Sequence, residues 1–444
     1  MATPELRVTG RMAHTRATRR ERVAWAFYDF ANSGYTTVVL TAVYSAYFVA
    51  VVAAELDASS PGSATLAWTL AIAAANLVVL LSGPVIGAIA DTRALKKVFL
   101  LVSSGLCIVS TALLGFTGPD TLSMAVGLLV LSTVAFASGE NLIAAFLPEI
   151  ASAEDMGRVS GFGWSLGYFG GLLTLGACLG YIAWAEGRGL PATSYVPVTL
   201  WITAVIFALT AMPTFVWLRE RAVAQPPLPG VSYIRVGFQR VGTTLRHAAQ
   251  LPDLFRFLCS LTLFQAGVAT VVVVAAIYAQ DVMGFDSQQL IMLIMVVNLT
   301  AAAGAFLFGF AQDHFGSVPS LLGALLVWVL AIATAFVADS PGDVWLSGNL
   351  IGAAMGATQA GGRALIGRLT PASRSAEIFG LWGLANRAAA ILGPISYGVI
   401  GKLSDGDHQM ALLSTLVFFL AGALLLLGVN ERRGMNAAQL ASAR

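Results

Sequence analysis

Long apolar runs separated by short polar connections recur along the whole chain. Each run holds about 20 predominantly apolar residues, which is the length that an α-helix needs to cross the ~30 Å hydrocarbon core of a bilayer. The pattern predicts twelve membrane-spanning segments, numbered here in chain order, at residues 23–52, 64–90, 98–117, 121–146, 159–184, 197–217, 254–279, 289–311, 319–338, 344–366, 377–400 and 409–429. Several runs contain Gly or Pro, which membrane helices tolerate.

Composition agrees with this pattern and narrows the class of protein. Of the 444 residues, 57% are hydrophobic and only 11% are charged, against about 25% charged residues in ordinary soluble domains. The three cysteines stand singly in apolar segments and the chain contains no HExxH motif, so nothing in the sequence indicates a metal site or a catalytic site. We predict a polytopic membrane protein that is not an enzyme and has no cofactor, no metal and no nucleic-acid partner.

The basic residues orient the segments. Of the 25 lysines and arginines, 22 fall on the side of the bilayer that holds the N-terminus, and only Arg188 and Lys402 fall on the other side. The remaining one, Arg387, lies within segment 11. Because cytoplasmic loops carry the excess of Lys and Arg in membrane proteins, both termini are predicted to be cytoplasmic.

A repeated spacing divides the chain into two halves. Asn76 precedes Asp91 by 15 residues in segment 2, and Asn298 precedes Asp313 by 15 residues in segment 8. Transporters are commonly built from such repeats, with the substrate site between the halves near mid-membrane. We predict an all-α membrane fold of twelve helices in two six-helix halves related by pseudo-two-fold symmetry.

The predicted divisions are a cytoplasmic N-terminal tail (1–22), the N-terminal half (23–217), a cytoplasmic linker (218–253), the C-terminal half (254–429) and a cytoplasmic C-terminal tail (430–444). Within the linker, apolar residues that share one helical face predict an amphipathic helix on the membrane surface. A solvated connection is the alternative.

Polar side chains within the apolar segments mark the candidate site. Because such groups face the bundle interior or a water-filled cavity, they are expected around a central cavity, although each amide could instead form an interhelical packing bond. Segments 3, 6, 9 and 12 hold no charge and no amide between their ends and are expected to face lipid. The candidate substrate-binding residues are Asn32, Tyr35, Asn76, Asn141, Trp164, Tyr168, Gln265, Asn298, Gln359, Trp382, Asn386 and Arg387.

Charged residues in or beside the segments are candidates for proton coupling or for a gate. Asp29 and Glu140 lie about six residues inside their segments, where a structural hydrogen bond is the alternative role. Arg363 either pairs across the halves or extends to the membrane surface. Arg387, near the midplane, needs an anion, which would be Asp29, Glu140 or a substrate carboxylate. The gate candidates near segment ends are Asp91, Arg93 and Asp313.

Tryptophans near the helix ends are expected in the interfacial belt, where amphipathic rings sit at headgroup level. These are Trp25, Trp184, Trp201, Trp217 and Trp345. Trp164 and Trp382 are nearer the interior, where they either line the cavity or pack in the core.

The loop between segments 2 and 3 resembles a signature of the major facilitator superfamily. GAIADTRALKK (87–97) is similar to the G-x-x-x-D-R-x-G-R-K loop of that superfamily, keeping Gly87, Asp91 and the basic residues at 93, 96 and 97 but departing from it at 92, 94 and 95. The second copy, at Asp313, lacks basic residues. Since a helix N-terminus favours an anion, we expect Asp91 to approach the start of segment 11, and Asp313 to approach the start of segment 5 by symmetry.

Three stretches resemble one branch of this superfamily. YDFANSGY (28–35), NLIAAFLPEI (141–150) and GRVSGFGWSLGYFGG (157–171) are similar to the branch that contains the autophagy-related vacuolar amino-acid effluxers of fungi and their bacterial relatives. FGLWGLANRAAAILGPI (379–395) is similar as well. The resemblance implies transport by alternating access, with amino-acid export as the activity of the fungal members.

These observations predict a secondary transporter, since no GxxxxGK[ST] nucleotide-binding loop is present. The predicted solute is small and polar, an amino acid or similar zwitterion, with protons as a candidate coupling ion. The alternatives are export of a drug, sugar or organic ion, or a receptor or scaffold with the same fold that does not transport. We expect a monomer in a bacterial inner membrane.

Overall fold

A computed structural model describes residues 17–59, 63–152, 154–222, 224, 242, 246, 248–281, 287–371, 374–403 and 408–443. It contains long helices, most of which follow the predicted segments to within about five residues. They are α1 at Arg19–Tyr35, α2 at Ser63–Arg93, α3 at Lys96–Leu114, α4 at Leu122–Ala144, α5 at Met156–Glu186, α6 at Ala192–Trp217, α7 at Pro252–Asp281, α8 at Ser287–Phe315, α9 at Ser317–Phe336, α10 at Pro341–Leu369, α11 at Ser375–Leu403, α12 at Leu416–Leu427 and α13 at Glu431–Ala443.

Not all of these helices are equally suited to cross a bilayer. Among the described residues, nine helices are long and apolar enough, and a tenth arises if α12 and α13, which meet at a bend of 67°, are taken as one span. α10 is long but carries Asp343, Arg363 and Arg368, and α11 contributes only a shorter apolar stretch, at Ile378–Gly393. The all-helical fold class is therefore confirmed, while length and composition support nine or ten of the twelve predicted spans.

Segment 1 is not the regular helix that its apolar run predicts. After Tyr35 it continues as a π-helix at Thr36–Ala42, a short α-helix at Tyr44–Tyr47 and a second π-helix at Phe48–Val52. Hydroxyl groups compete with the helix here, because Thr37 donates to the Ser33 carbonyl at 2.9 Å and Thr41 donates to the Thr36 carbonyl at 3.0 Å. Side-chain bonds of this kind bend helices, and π-turns accommodate the change of register.

The two halves meet through a subset of helices. The closest contacts across the halves join α5 to α8 and α10, and join α11 to α2 and α4. By contrast, α3, α6, α9 and α12 make their main contacts inside their own half. They also expose rows of large apolar side chains, such as Leu101 and Val109 on α3 or Leu420 and Leu424 on α12, as expected for helices that face lipid.

Two regions lie outside the helical bundle, the linker between the halves and the C-terminal tail. The predicted amphipathic helix of the linker falls almost entirely outside the described residues. The C-terminal tail, in turn, contains α13, which the sequence pattern did not predict. The boundaries of the two halves within the chain remain a proposal.

Small residues let α8 and α10 approach closely. A Cβ atom built on Gly356 of α10 would lie 1.9 Å from the Ala301 carbonyl oxygen, and one on Gly304 of α8 would lie 2.3 Å from the Ala353 carbonyl oxygen. Such contacts between backbones are typical of helix pairs in membranes. The C-terminal half therefore depends on glycine at this crossing.

We predict that Gly356→Ala lowers the midpoint of thermal unfolding in detergent, because an added methyl group must push α8 and α10 apart, which costs about 1–3 kcal/mol. The matched control is Gly323→Ala on α9, where a Cβ atom meets nothing within 4 Å. That change should leave the midpoint unchanged or raise it, since alanine favours helix. Equal midpoints for the two variants would contradict the close approach.

Candidate functional site

A cavity of about 240 Å³ lies between the halves. Its walls come from α4, α5, α7, α10 and α11. The polar lining residues are Glu140, Asn141, Trp164, Gln265, Gln359, Trp382, Asn386 and Arg387, and the remaining wall is formed by Val268, Ala269, Val272 and Gly383. Eight of the residues that the sequence proposed as binding or gating groups are thus brought to one place.

One ion pair crosses the cavity from half to half. The Arg387 guanidinium of α11 donates from Nη2 to Oε2 of Glu140 on α4 at 3.2 Å. The side chains keep 17% and 30% of their surface exposed, respectively, so solvent in the cavity reaches both. α11 comes this close because a Cβ atom on Gly383 would lie 2.5 Å from Oδ1 of Asn141. Arg387 therefore has the intramembrane partner that its depth requires, and that partner is Glu140 rather than Asp29.

A second ion pair across the halves lies deeper in protein. Arg363 of α10 approaches Oδ2 of Asp29 on α1 at 2.7 Å, and the two side chains keep only 3% and 11% of their surface exposed. Arg363 also donates to the Ser160 hydroxyl at 3.2 Å and to the Ser160 carbonyl at 3.0 Å. Arg363 therefore does not extend to the membrane surface. It inserts into the N-terminal half.

Helix α5 makes room for this buried pair at a single position. A Cβ atom on Gly163 would lie 2.6 Å from Oδ2 of Asp29 and 2.8 Å from Nη2 of Arg363. Two indole rings flank the guanidinium, with Cζ of Arg363 4.6 Å from the ring centre of Trp25 and 5.2 Å from that of Trp164. Ring faces attract cations at such distances, so the pair is held by ionic, hydrogen-bonding and aromatic contacts together.

Three amides join the helices of the C-terminal half along one wall. Gln265 of α7 donates from Nε2 to Gln359 of α10 at 2.8 Å and to Asn386 of α11 at 2.9 Å. Asn386 in turn donates to the Trp382 carbonyl at 3.0 Å. These bonds fix the relative positions of the three helices and keep the amides in the cavity wall.

Three donor atoms of the cavity residues have no partner among the described residues. They are Nε1 of Trp164, Nε1 of Trp382 and Nε of Arg387, all of them buried. Buried donors are nearly always paired in native proteins, and an unpaired one costs about 1–3 kcal/mol. The arrangement suits a ligand that brings hydrogen-bond acceptors.

The end of the bundle where α1 begins, called here the basic end, is closed. Asp313 of α8 accepts from the backbone N–H groups of Gly157 and Arg158, both at 2.9 Å, at the start of α5. This is the contact expected from symmetry. Arg158 and Arg368 also pair with Asp313, at 3.1 and 2.6 Å. The basic residues that are missing beside Asp313 in the sequence are therefore supplied by α5 and α10.

Close packing and a lysine complete the closure. A Cβ atom on Gly161 of α5 would lie 2.5 Å from the Ala305 carbonyl oxygen of α8. Lys96, buried at the start of α3, pairs with Glu149 and donates to the Ser375 hydroxyl at the start of α11 at 3.2 Å. Arg93 lies exposed in the last turn of α2, and the side chain of Asp91 falls outside the described side chains. The Asp91 contact with α11 stays a prediction.

Five predicted binding residues do not line the cavity: Asn32, Tyr35, Asn76, Tyr168 and Asn298. Tyr35 is fully buried and shares hydrogen bonds with Ser132 and Thr133, so it belongs to the core of the N-terminal half. Tyr168 packs behind Trp164, with ring centres 5.8 Å apart. The amide of Asn298 donates to its own helix, at the Ile294 carbonyl.

Three further findings correct or extend the sequence expectations. Trp25 is not in an interfacial belt, because it is fully buried and donates to the Ile143 carbonyl at 2.8 Å. Gly383 and the apolar wall of the cavity were missed. The wall residues follow Gln265 by three, four and seven positions, a helical spacing that could have shown them on its face.

Comparison with known proteins agrees with this geometry. The family model described as "Vacuole effluxer Atg22 like" matches residues 62–439. The "Uncharacterized MFS-type transporter YxiO" of Bacillus subtilis (strain 168) is 27% identical over 96% of this chain and 98% of that protein. "Autophagy-related protein 22" of Coccidioides immitis (strain RS) is 24% identical over 64% of this chain and 51% of its own length. The chain thus spans about half the length of that fungal relative.

Solved structures show the same fold. The human organic anion transporter MFSD10 (TETRAN) superposes with a TM-score of 0.71 at 14% identity, over 92% of this chain and 99% of that one. The proton:xylose symporter XylE, bound to 6-bromo-6-deoxy-D-glucose, gives 0.71 at 18% identity, over 96% and 98% of the two chains. With its two helical halves and the cavity between them, this chain is a transporter of the major facilitator superfamily and belongs to the family of Atg22-like vacuole effluxers.

Proposed function

We propose that this protein carries a small zwitterion, an amino acid or a close analogue, across the membrane by alternating access through the cavity between its halves. The observation that supports this most directly is the Glu140–Arg387 pair, which joins the halves and is open to the cavity. An α-amino acid carries one carboxylate and one ammonium group. Its carboxylate can pair with Arg387 and its ammonium group with Glu140, so that it replaces the contact between the two residues without changing the net charge of the site.

The binding step uses the groups that the cavity presents. The carboxylate of the solute accepts two parallel hydrogen bonds from the Arg387 guanidinium, whose planar fork matches a carboxylate. The ammonium group donates to Glu140. The remaining polar atoms are oriented by the amides of Gln265 and Asn386 and by the indole N–H groups of Trp164 and Trp382, which have no partner within the described ranges.

The transport step then opens the basic end, which we propose to be cytoplasmic because membrane proteins concentrate Lys and Arg there. Opening must separate Asp29 from Arg363 and Asp313 from the start of α5, since both contacts join the halves. We assign the Asp29–Arg363 pair as the lock of the closed state. We propose that the protein acts as a monomer. We also propose that it lies in a bacterial inner membrane, because the Bacillus subtilis relative matches it over nearly the whole length of both chains.

Protons offer a second way to release Arg387. Protonation of Glu140 removes its charge and frees the guanidinium, so an organic anion without an ammonium group becomes an alternative substrate. The three cavity donors that lack a partner in the described part of the chain favour this alternative. Flux into liposomes over a panel of amino acids, sugars and organic anions, with and without a pH gradient, separates the two. Zwitterion transport at the same rate with and without the pH gradient supports replacement of the ion pair by the solute. Anion transport that requires the gradient supports the alternative. A protein that transports no solute is a receptor or scaffold.

We predict that Arg387→Ala abolishes solute binding while the protein stays folded. Arg387→Lys should weaken binding by about 10- to 100-fold, because a point charge cannot reproduce a bidentate contact worth about 1.5–3 kcal/mol. Binding measured by calorimetry in detergent checks both. Arg188→Lys, on the exposed connection after α5, is the control and should bind as the unaltered protein does. Wild-type affinity in Arg387→Ala would rule out this arginine as the anchor.

We predict that Gly163→Ala opens the basic end, because a methyl group at this position collides with both members of the Asp29–Arg363 pair. The reporter is Met156→Cys at the start of α5, a position only 3% exposed in the closed state, in a background without Cys107, Cys178 and Cys259. Its labelling by N-ethylmaleimide should accelerate several-fold. Gly180→Ala on the same helix, where a Cβ atom meets nothing within 4 Å, is the matched control. If both variants label at the wild-type rate, the pair is not the lock.

A further inference from the structure

We infer that Trp164 is the positioning residue through which an occupied cavity releases the Asp29–Arg363 lock. The inference rests on the proposed function for the identity of the solute but not for the link itself. Trp164 lines the cavity and also lies over the guanidinium of Arg363. It connects the place where a solute binds with the contact that keeps the basic end closed.

The two indoles that flank Arg363 are held very differently. Trp25 is fully buried, and its N–H group is anchored on the Ile143 carbonyl at 2.8 Å. Trp164 is half-buried in the cavity wall, and its N–H group is buried without a partner among the described residues. One of the two rings near the guanidinium is therefore fixed by a hydrogen bond, while the other, Trp164, has no polar anchor among the described residues. Of the two indoles, Trp164 is the one that can move.

A solute in the cavity acts on this movable ring. An acceptor oxygen placed near Trp164 satisfies the unpaired N–H group and turns the indole toward the cavity. That movement takes the ring face away from the guanidinium and removes one of the attractions that hold Arg363 inside the N-terminal half. The Asp29–Arg363 pair weakens and the basic end opens more readily. Binding and opening are coupled by a single side chain.

Trp382 provides a matched control within the same cavity. It also lines the cavity and also carries a buried N–H group without a partner among the described residues. Its ring, however, packs edge-on against Phe379 with ring centres 6.0 Å apart. Changes at Trp382 therefore remove an equivalent donor from the cavity without touching a ring that lies over Arg363.

The test uses the full chain in detergent, with the Met156→Cys reporter at the basic end. Without any solute, Trp164→Ala should raise the rate of labelling by N-ethylmaleimide about 2- to 30-fold, the range that loss of one cation–π contact allows. Trp164→Leu repeats the comparison with a bulkier replacement, and size-exclusion chromatography verifies that each variant is folded. Trp382→Ala should label at the wild-type rate. Equal labelling of the Trp164 and Trp382 variants overturns the inference.

The second arm adds an equimolar mixture of the twenty proteinogenic amino acids. Trp164→Phe keeps a ring over Arg363 but has no N–H group, so without solute it should label as the wild type does. At a saturating concentration the mixture should accelerate labelling in the wild type and in Trp382→Phe but not in Trp164→Phe. Because Trp382 belongs to the binding site, Trp382→Phe should need a higher concentration of the mixture for half of the effect. A wild-type response that persists in Trp164→Phe also overturns the inference. If the wild type itself does not respond, the proposed function fails, and the comparison without solute still decides the link between Trp164 and Arg363.

Discussion

The structure depends on charges that are buried between two halves. In the two pairs nearest the cavity the signs are divided between the halves: α1 and α4 bring carboxylates, and α10 and α11 bring guanidinium groups. A buried charge that loses its partner destabilises a protein by about 3–5 kcal/mol, so the enclosed Asp29 and Arg363 must face each other in the closed state. Arg387 also needs an anion, because charged side chains inside a membrane protein are costly unless they are paired. Pairing therefore determines how the halves fit together, with Asp29 against Arg363 at 2.7 Å and Glu140 against Arg387 at 3.2 Å. A major facilitator transporter must separate its halves, and these pairs are what must be separated or replaced.

The two pairs differ in ways that suit different tasks. Arg363 keeps 3% of its side-chain surface exposed and is surrounded by Ser160, Trp25 and Trp164, so no solute can reach it while the basic end is closed. Glu140 keeps 30% exposed and borders the cavity. We propose that the enclosed pair acts as the lock of the closed state and that the open pair forms the binding site. Trp164 touches both regions, and it is this contact that would let binding in one change the other.

Much of the fold and part of the site follow from the sequence. The length of the apolar runs predicts the helices. A segment that crosses a bilayer must pair its own backbone N–H and C=O groups, and an α-helix does this within a single segment. The depth of Asp29, Glu140 and Arg387 marks them as candidate functional residues, because charges are costly there. Which carboxylate meets which arginine could not be predicted, since it depends on the rotation of each helix and on the register of the two halves.

Other features were hidden for related reasons. Tyr35 looks like a cavity residue in the sequence, but hydroxyl partners on α4 draw it into the core. Trp25 lies near a helix end, yet it is buried because Arg363 and α4 cover it. The partners of Asp313 come from α5 and α10, far from it in sequence. Contacts between residues far apart in the sequence leave no local pattern in it. Residues that share one helix face do leave a pattern, as the spacing of Val268 and Val272 from Gln265 shows.

The central claim is that the solute takes the place of the ion pair that is open to the cavity and leaves the enclosed pair to hold the closed state. The most direct measurement is the separation of the Glu140 carboxylate from the Arg387 guanidinium in an experimental structure of the protein with an amino acid bound and the basic end closed. The account predicts that the amino acid lies between the two groups, beyond direct contact of one with the other, while Asp29 and Arg363 remain paired. A bound amino acid elsewhere in the cavity, with the Glu140–Arg387 contact intact, would contradict it.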